Sequence, residues 1–452
     1  MTTNRYIYKQ LINWRLREGK KPLVLRGARQ VGKTTLVKEF SKEFQHYISL
    51  NLELPNDIYF FKKYADPREL IEAILVKFRI NSSDLENCLL FIDEIQESKE
   101  ALNMLRYFYE FFPNLSVIAA GSLLEQALNS GENLPVGRVE YLHLYPFNFT
   151  EFLEATQDQY LLNALNEFPR NRISHQALME AFHRYIIIGG MPEVVMKYAK
   201  NGQISDCLQT YNSIWKTYKR DVSKYAKNAT DAKIIRHIMS VAHEYIDERV
   251  KFQNFGNSNY KSREVGEAFR NLHDAKIIQL VFPTVETAIP LHRDFKKTPR
   301  MQFLDTGLLN NELNIQSSMI GVKDLSDSYK GRIVPHMFIQ EIISLHSFGE
   351  EIPPFWVREK TQSSAEVDLI FQYKDLLIPI EVKSGKIGKL KSLLQYIDAT
   401  NHPFAIRVYG GEFCVENHKT IKGKEFKLLN IPYYLGTQLT RIIEKFVAEE
   451  EF

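Results

Sequence analysis

Two stretches of this chain hold residues whose types and spacing can do chemistry. The first is Gly27-Ala28-Arg29-Gln30-Val31-Gly32-Lys33-Thr34-Thr35. Glycines at 27 and 32 allow turns that a Cβ would forbid, so backbone N–H groups along the loop converge on one point and suit phosphate oxygens. Lys33 is placed to reach β- and γ-phosphates, and the Thr34 hydroxyl to ligate Mg2+. This is the P-loop, or Walker A, pattern, and the ligands expected of it are ATP and Mg2+. The bland alternative is a strand-to-helix turn that binds nothing.

The second stretch is Ala365–Phe371 with Leu377–Lys383, which reads as a hairpin turning at Lys374-Asp375. With the turn centred there, Asp368 falls opposite Glu381, and Lys383 shares their face. Facing carboxylates repel, and a divalent cation between them removes the conflict. A lysine beside that cation can orient or deprotonate water, or stabilise charge on a cleaved phosphate. Glu341, on a helix read from about Pro335, is expected as a further ligand. The alternatives are a solvated charged cluster, or a fold that has lost its chemistry.

Several elements must position the first set. Leu23–Arg26 reads as a buried strand entering the loop, and Leu36–Phe40 as the helix leaving it, its positive end facing the phosphates. Cys88-Leu89-Leu90-Phe91-Ile92-Asp93-Glu94 is an apolar run ending in two acids, as a strand buried on both faces of a parallel sheet would be. Asp93 is expected to hold Mg2+ and Glu94 to act as general base, a Walker B pair. Leu115–Ser122 reads as a further strand whose Ser122 can sense the γ-phosphate; a plain turn serine is the alternative. Arg138, before the strand Val139–Leu144, could be an arginine finger acting in trans, surface arginines being commoner.

The α/β class follows from the βαβα alternation up to residue 150. A chain of 452 residues exceeds one ordinary core. A net charge of +3 argues for no global nucleic-acid field, so any basic patch is local. Three scattered cysteines, Cys88, Cys207 and Cys414, show no metal-ligand spacing and fit a reducing, cytoplasmic compartment. No signal peptide is read at the start, and no apolar run spans a bilayer, so no membrane partner is expected.

Four domains are read: a nucleotide-binding core over 1–150, a helical lid or linker over 151–228, a winged-helix-like domain over 229–312, and an α/β domain over 313–452. Gly189-Gly190-Met191-Pro192 breaks two helices of the lid. Lys216, Lys219, Arg220, Lys224 and Lys227, interleaved with Trp215, Tyr218 and Tyr225, suit nucleic acid or, more often, a solvated helix face over a core. In the winged part, Ser262–His273 is the second helix, with Lys261, Arg263 and Arg270 able to meet phosphates, and Ile277–Phe282 with Ile289–His292 form the wing.

The P-loop, Phe91–Gln96, Ala120-Gly121-Ser122-Leu123-Leu124 and Gly137-Arg138-Val139 together resemble the AAA-family ATP-binding proteins of bacteria and archaea that carry a C-terminal domain of unknown function. The resemblance continues through Gly189–Glu193, Arg220-Asp221-Val222 and Leu304–Leu308 into the C-terminal third. Separately, Asp368, Glu381-x-Lys383 and the preceding Glu341 helix resemble the PD-(D/E)XK nuclease superfamily, with its restriction-endonuclease-like fold. Pro335 departs from the family pattern, which tends to have glutamate there. The resemblances imply an ATPase coupled to a Mg-dependent deoxyribonuclease or DNA-binding domain, with a homo-oligomer as the source of any trans arginine. The alternative is a nucleotide-switched DNA- or protein-binding module that does not cleave.

Overall fold

The computed structural model describes residues 5–122, 137–169, 173–246, 248–316, 327–345, 352–360, 363–384 and 390–450. The chain divides into two compact units, one built mainly of residues 1–146 and the other of most of the remainder.

The first unit is a five-stranded parallel sheet. Its strands are β1 (Leu23–Arg26), β2 (His46–Asn51), β3 (Cys88–Asp93), β4 (Ser116–Ala120) and β5 (Glu140–His143), in the order β2-β3-β4-β1-β5. Every neighbour is parallel, so all five carboxyl ends lie on one edge. β3 and β4 are apolar and buried almost throughout because helices cover both faces. Between β2 and β3 stand two helices, Pro55–Lys63 and Pro67–Phe78, the second capped by the Asp66 carboxylate. Pro67 explains the break, since proline fits a first turn but not a helix interior.

The second unit begins with helices Phe149–Ala155, Gln159–Asn166, His175–Ile188, Pro192–Asn201 and Leu208–Arg220. On the last of these, Trp215 and Tyr218 are buried, so these two aromatics of the basic run belong to the core, and the Tyr225 side chain lies outside the described residues. Helices Ala229–Val241 and Ser262–Asp274 follow, and then the antiparallel pair β6 (Ile278–Val281) and β7 (Arg300–Phe303). The expected second wing strand at Ile289–His292 is therefore corrected to β7. Pro290 has no N–H to give a ladder, whereas Arg300–Phe303 offers an unbroken one.

The C-terminal part holds helix Asp327–Leu345 and strands β8 (Trp356–Lys360), β9 (Ser363–Val367), β10 (Leu369–Tyr373), β11 (Leu376–Val382), β12 (Phe404–Tyr409), β13 (Cys414–Lys419) and β14 (Glu425–Pro432). A mixed sheet has the order β10-β11-β12-β14-β13, and β8 and β9 form a separate two-stranded sheet. Pro335 lies inside the Asp327–Leu345 helix rather than at its start, which corrects the expected boundary. Among the described residues no helix is long and apolar enough to cross a membrane.

Candidate nucleotide site and carboxylate cluster

The loop after β1 turns as its glycines require. Gly27 has φ 143° and Gly32 φ 96°, and Gln30 is also left-handed at φ 63°. A Cβ on Gly27 would overlap the Leu144 carbonyl oxygen. Arg5 ties the loop down, donating to the Val31 carbonyl at 3.2 Å and the Tyr145 carbonyl at 2.5 Å. Helix Lys33–Phe40 starts directly from Gly32, so its N-terminus faces the loop.

Lys33 is only 8% exposed. Its ammonium donates to the Gly27 and Ala28 carbonyls, each at 2.9 Å. Thr34 Oγ1 donates to Asp93 Oδ2 at 2.7 Å, so the two residues expected to share Mg2+ meet although 59 positions separate them. Burial pushes the Asp93 carboxyl upward, against the Thr34 hydrogen bond and the Lys33 charge. A hydroxyl and a carboxylate at hydrogen-bond distance beside the loop fit a hard cation. Glu94 takes a left-handed turn, φ 51°, at the end of β3, and its Oε2 accepts from Gln96 Nε2 at 2.6 Å. Ser122 follows β4, the strand between β1 and β3, at the same edge.

Ala28 and Val31 are buried in the loop, Arg29 reaches Glu53 at 3.4 Å, and Thr35 is exposed on the helix. Arg138 is not brought to this set. It precedes β5, whose first residue Glu140 pairs with Leu23 at the start of β1, which is the opposite edge of the sheet. There Arg138 Nε binds Glu110 at 2.7 Å.

In the second unit the hairpin has the expected register. Leu369 pairs with Ile380, which sets Asp368 opposite Glu381. Asp368 is the break between β9 and β10, and its Oδ2 accepts from the Val382 N–H at 2.9 Å. Lys383 Nζ binds Glu381 Oε1 at 2.5 Å. Glu381 is 6% exposed, and its Oε2 is buried with no hydrogen-bond partner among the described residues. Burial first, and then the Asp368 charge, push the Glu381 carboxyl up to about 7.

That unpaired buried acceptor beside a second carboxylate fits a divalent cation. Among the described residues no group of three or more His, Cys, Asp or Glu side chains is placed to hold one. The rest of a coordination shell here would be water or substrate oxygen, which Mg2+ accepts.

Glu341 does not join the pair, which corrects its expected role as a ligand. It is fully buried elsewhere in the unit, where both oxygens accept from the Phe149 N–H at 3.1 Å and Oε1 lies 2.7 Å from the Tyr185 hydroxyl. A fully buried carboxyl at a helix start caps that helix and has no face left for a metal.

Sequence reasoning missed three participants. Gln96 stands two residues after Glu94, and its position was the only signal. Asp305 accepts from the Gly190 N–H at 2.5 Å and the Leu308 N–H at 2.9 Å, which fixes the Gly189-Gly190 corner. Arg300 reaches Asp368 from 68 residues away, at 3.5 Å, with no local signature.

Comparison with known proteins agrees with the first site. Residues 19–153 match an AAA domain, residues 179–319 a domain of unknown function (DUF8612), and residues 330–434 another (DUF4143). Among solved structures, the Walker-type ATPase paby2304 of Pyrococcus abyssi is similar at 16% identity and a TM-score of 0.44, over 69% of this chain and 96% of its own. No curated protein matches the chain. The AAA-domain match and the loop geometry together support ATP binding and hydrolysis by the first unit.

Proposed function

We propose that the chain hydrolyses ATP at the Gly27–Thr35 loop and uses the nucleotide to control a nuclease-like, DNA-interacting C-terminal part. The observation that carries the first half is the meeting of Lys33, Thr34 and Asp93 at the carboxyl edge of the parallel sheet. Phosphate oxygens would replace the two loop carbonyls as acceptors for the Lys33 ammonium. Thr34 and Asp93 would hold Mg2+, which supplies charge neutralisation at the β- and γ-phosphates when bound. Glu94 would take the proton of the attacking water, with Gln96 holding its carboxylate in place. Ser122 would donate to the γ-phosphate or to that water.

Coupling has a covalent route. The Leu144 carbonyl lies against Gly27, Arg5 joins the Tyr145 carbonyl to that of Val31, and the Phe147 N–H donates to the Gly190 carbonyl at 2.7 Å. In the C-terminal part, Asp368 and Glu381 would hold a divalent cation, with Lys383 stabilising charge on a phosphate. Support for this half is the register and the unpaired Glu381 oxygen.

A purified Lys33→Ala protein is expected to lose ATP hydrolysis, and unchanged turnover would refute the first half. Mg2+- or Mn2+-dependent DNA cleavage is expected to vanish in Lys383→Ala, and undiminished cleavage would refute the second. The reading as a nucleotide-switched module that binds without cutting has one observation in its favour: cationic side chains already neutralise the carboxylates around Asp368.

A further inference from the structure

The Asp368–Glu381 pair lies in a charge cluster assembled from two parts of the second unit. β9 carries Glu366, and its partner β8 carries Glu359, two residues beyond Val357, which faces Glu366. Against these acids stands the segment around β7. Arg249 binds Glu366 at 2.8 Å and Glu359 at 2.6 Å, and Lys297 binds Glu359 at 2.5 Å. Arg300 spreads its fork over two acids, with Nη2 on Glu366 and Nη1 3.5 Å from Asp368 Oδ1. The backbone holds this arrangement in place. Arg249 and Arg300 form a β-bridge, and the Val250 N–H donates to the Pro299 carbonyl at 2.7 Å. Both guanidiniums lie over Phe355, at 5.4 and 4.9 Å from its ring centroid.

The count of charges decides what this cluster prefers. Among the described residues, the ion pairs set Glu359, Glu366, Asp368 and Glu381 against Arg249, Lys297, Arg300 and Lys383. A cluster balanced in this way has little electrostatic need for a dication, and a dication placed between Asp368 and Glu381 would meet the Arg300 charge close by. Arginine is always protonated, so this counter-charge cannot be titrated away. Its side chain is 14% exposed, and so screened weakly.

We infer that Arg300 is a built-in cation competing with divalent metal for Asp368, so that the carboxylate pair takes metal only when the β7 segment withdraws the guanidinium. The inference rests on the metal-site reading of Asp368 and Glu381. It adds the reason why the same residues can serve a binding module in one arrangement and a hydrolytic site in another. Control of the site then lies with the residues that hold Arg300 in place, among them Glu366.

The test is Mn2+ binding to the full chain, measured by calorimetry and by the electron-spin signal of free Mn2+. Wild type is compared with Arg300→Gln, Arg300→Met and Asp368→Asn. The methionine variant keeps an aliphatic stem against Phe355, so agreement between the two Arg300 variants separates charge loss from misfolding. Both are expected to bind Mn2+ about tenfold more tightly than wild type, or better, the effect of removing one like charge from a weakly screened site. All four proteins carry Asp93→Asn to silence the nucleotide-site cation, and Asp368→Asn is then expected to abolish binding. Equal affinity in wild type and both Arg300 variants would overturn the competition while leaving the metal site standing. Absence of binding in all four proteins would overturn the metal-site reading, and the competition with it.

Discussion

Glu341 provides the sharpest physical test of the second unit. Its neighbour Tyr185 lies 2.6 Å from the Phe147 carbonyl and 2.7 Å from Glu341 Oε1. One phenol proton cannot serve both acceptors. Tyr185 donates to the carbonyl, which can only accept, and a protonated Glu341 donates to the phenol oxygen; its other oxygen still accepts the Phe149 N–H. The environment agrees: complete burial raises the Glu341 carboxyl to about 8, and the nearby Glu151 charge adds to the rise. A carboxyl raised in the folded state stabilises the fold fully below its ordinary 4.5, and that stability is lost as pH rises through about 8. The whole effect is about 5 kcal/mol as an upper bound, and about 2 kcal/mol of it falls between pH 6 and pH 8. In Glu341→Gln the amide can donate to Tyr185 and its carbonyl can accept from Phe149, with nothing to titrate. Denaturant unfolding of both proteins at pH 6 and pH 8 measures the difference. Asp305, at about 6, and Glu381, at about 7, titrate in the same window but in both proteins, so they cancel. The variant is expected to show the shallower decline, by about 2 kcal/mol. Parallel slopes would refute the protonated-carboxyl argument.

Other outcomes follow from the same geometry. Gly190→Ala places a Cβ on the Phe147 carbonyl, a backbone atom that cannot swing aside, and is expected to cost about 1–3 kcal/mol, read as a lowered melting temperature. Asp305→Asn keeps an acceptor but loses the charge that the Gly190 and Leu308 N–H groups hold, and is expected to cost about 1–2 kcal/mol by denaturant unfolding. Gln96→Ala frees the Glu94 carboxylate; kcat for ATP is expected to fall about tenfold while nucleotide affinity, measured by fluorescence titration, stays the same. An equal loss in affinity would show that Gln96 supports the loop rather than Glu94.

Local chemistry made much of this protein legible in its sequence. Gly27 and Gly32 are where only glycine turns easily, Lys33 and Thr34 follow at fixed spacing, and the apolar run into Asp93 needs a sheet covered on both faces. The pairing of Asp368 with Glu381 was equally readable, because a hairpin centred on two turn residues has one register. What could not be read was anything joined by tertiary packing. Glu341 has the spacing of a ligand, yet the fold spends both its oxygens on Phe149 and Tyr185. Arg138 precedes β5, the strand beside β1 in the sheet, yet lies at the edge opposite the loop, because parallel strands put entry and exit at opposite ends. Arg300 had no signature, since a side chain's reach to an acid 68 residues away depends on which backbones lie together. The motifs are local and carry their chemistry with them, whereas the counter-charges and caps that decide whether the chemistry is available belong to the folded molecule alone.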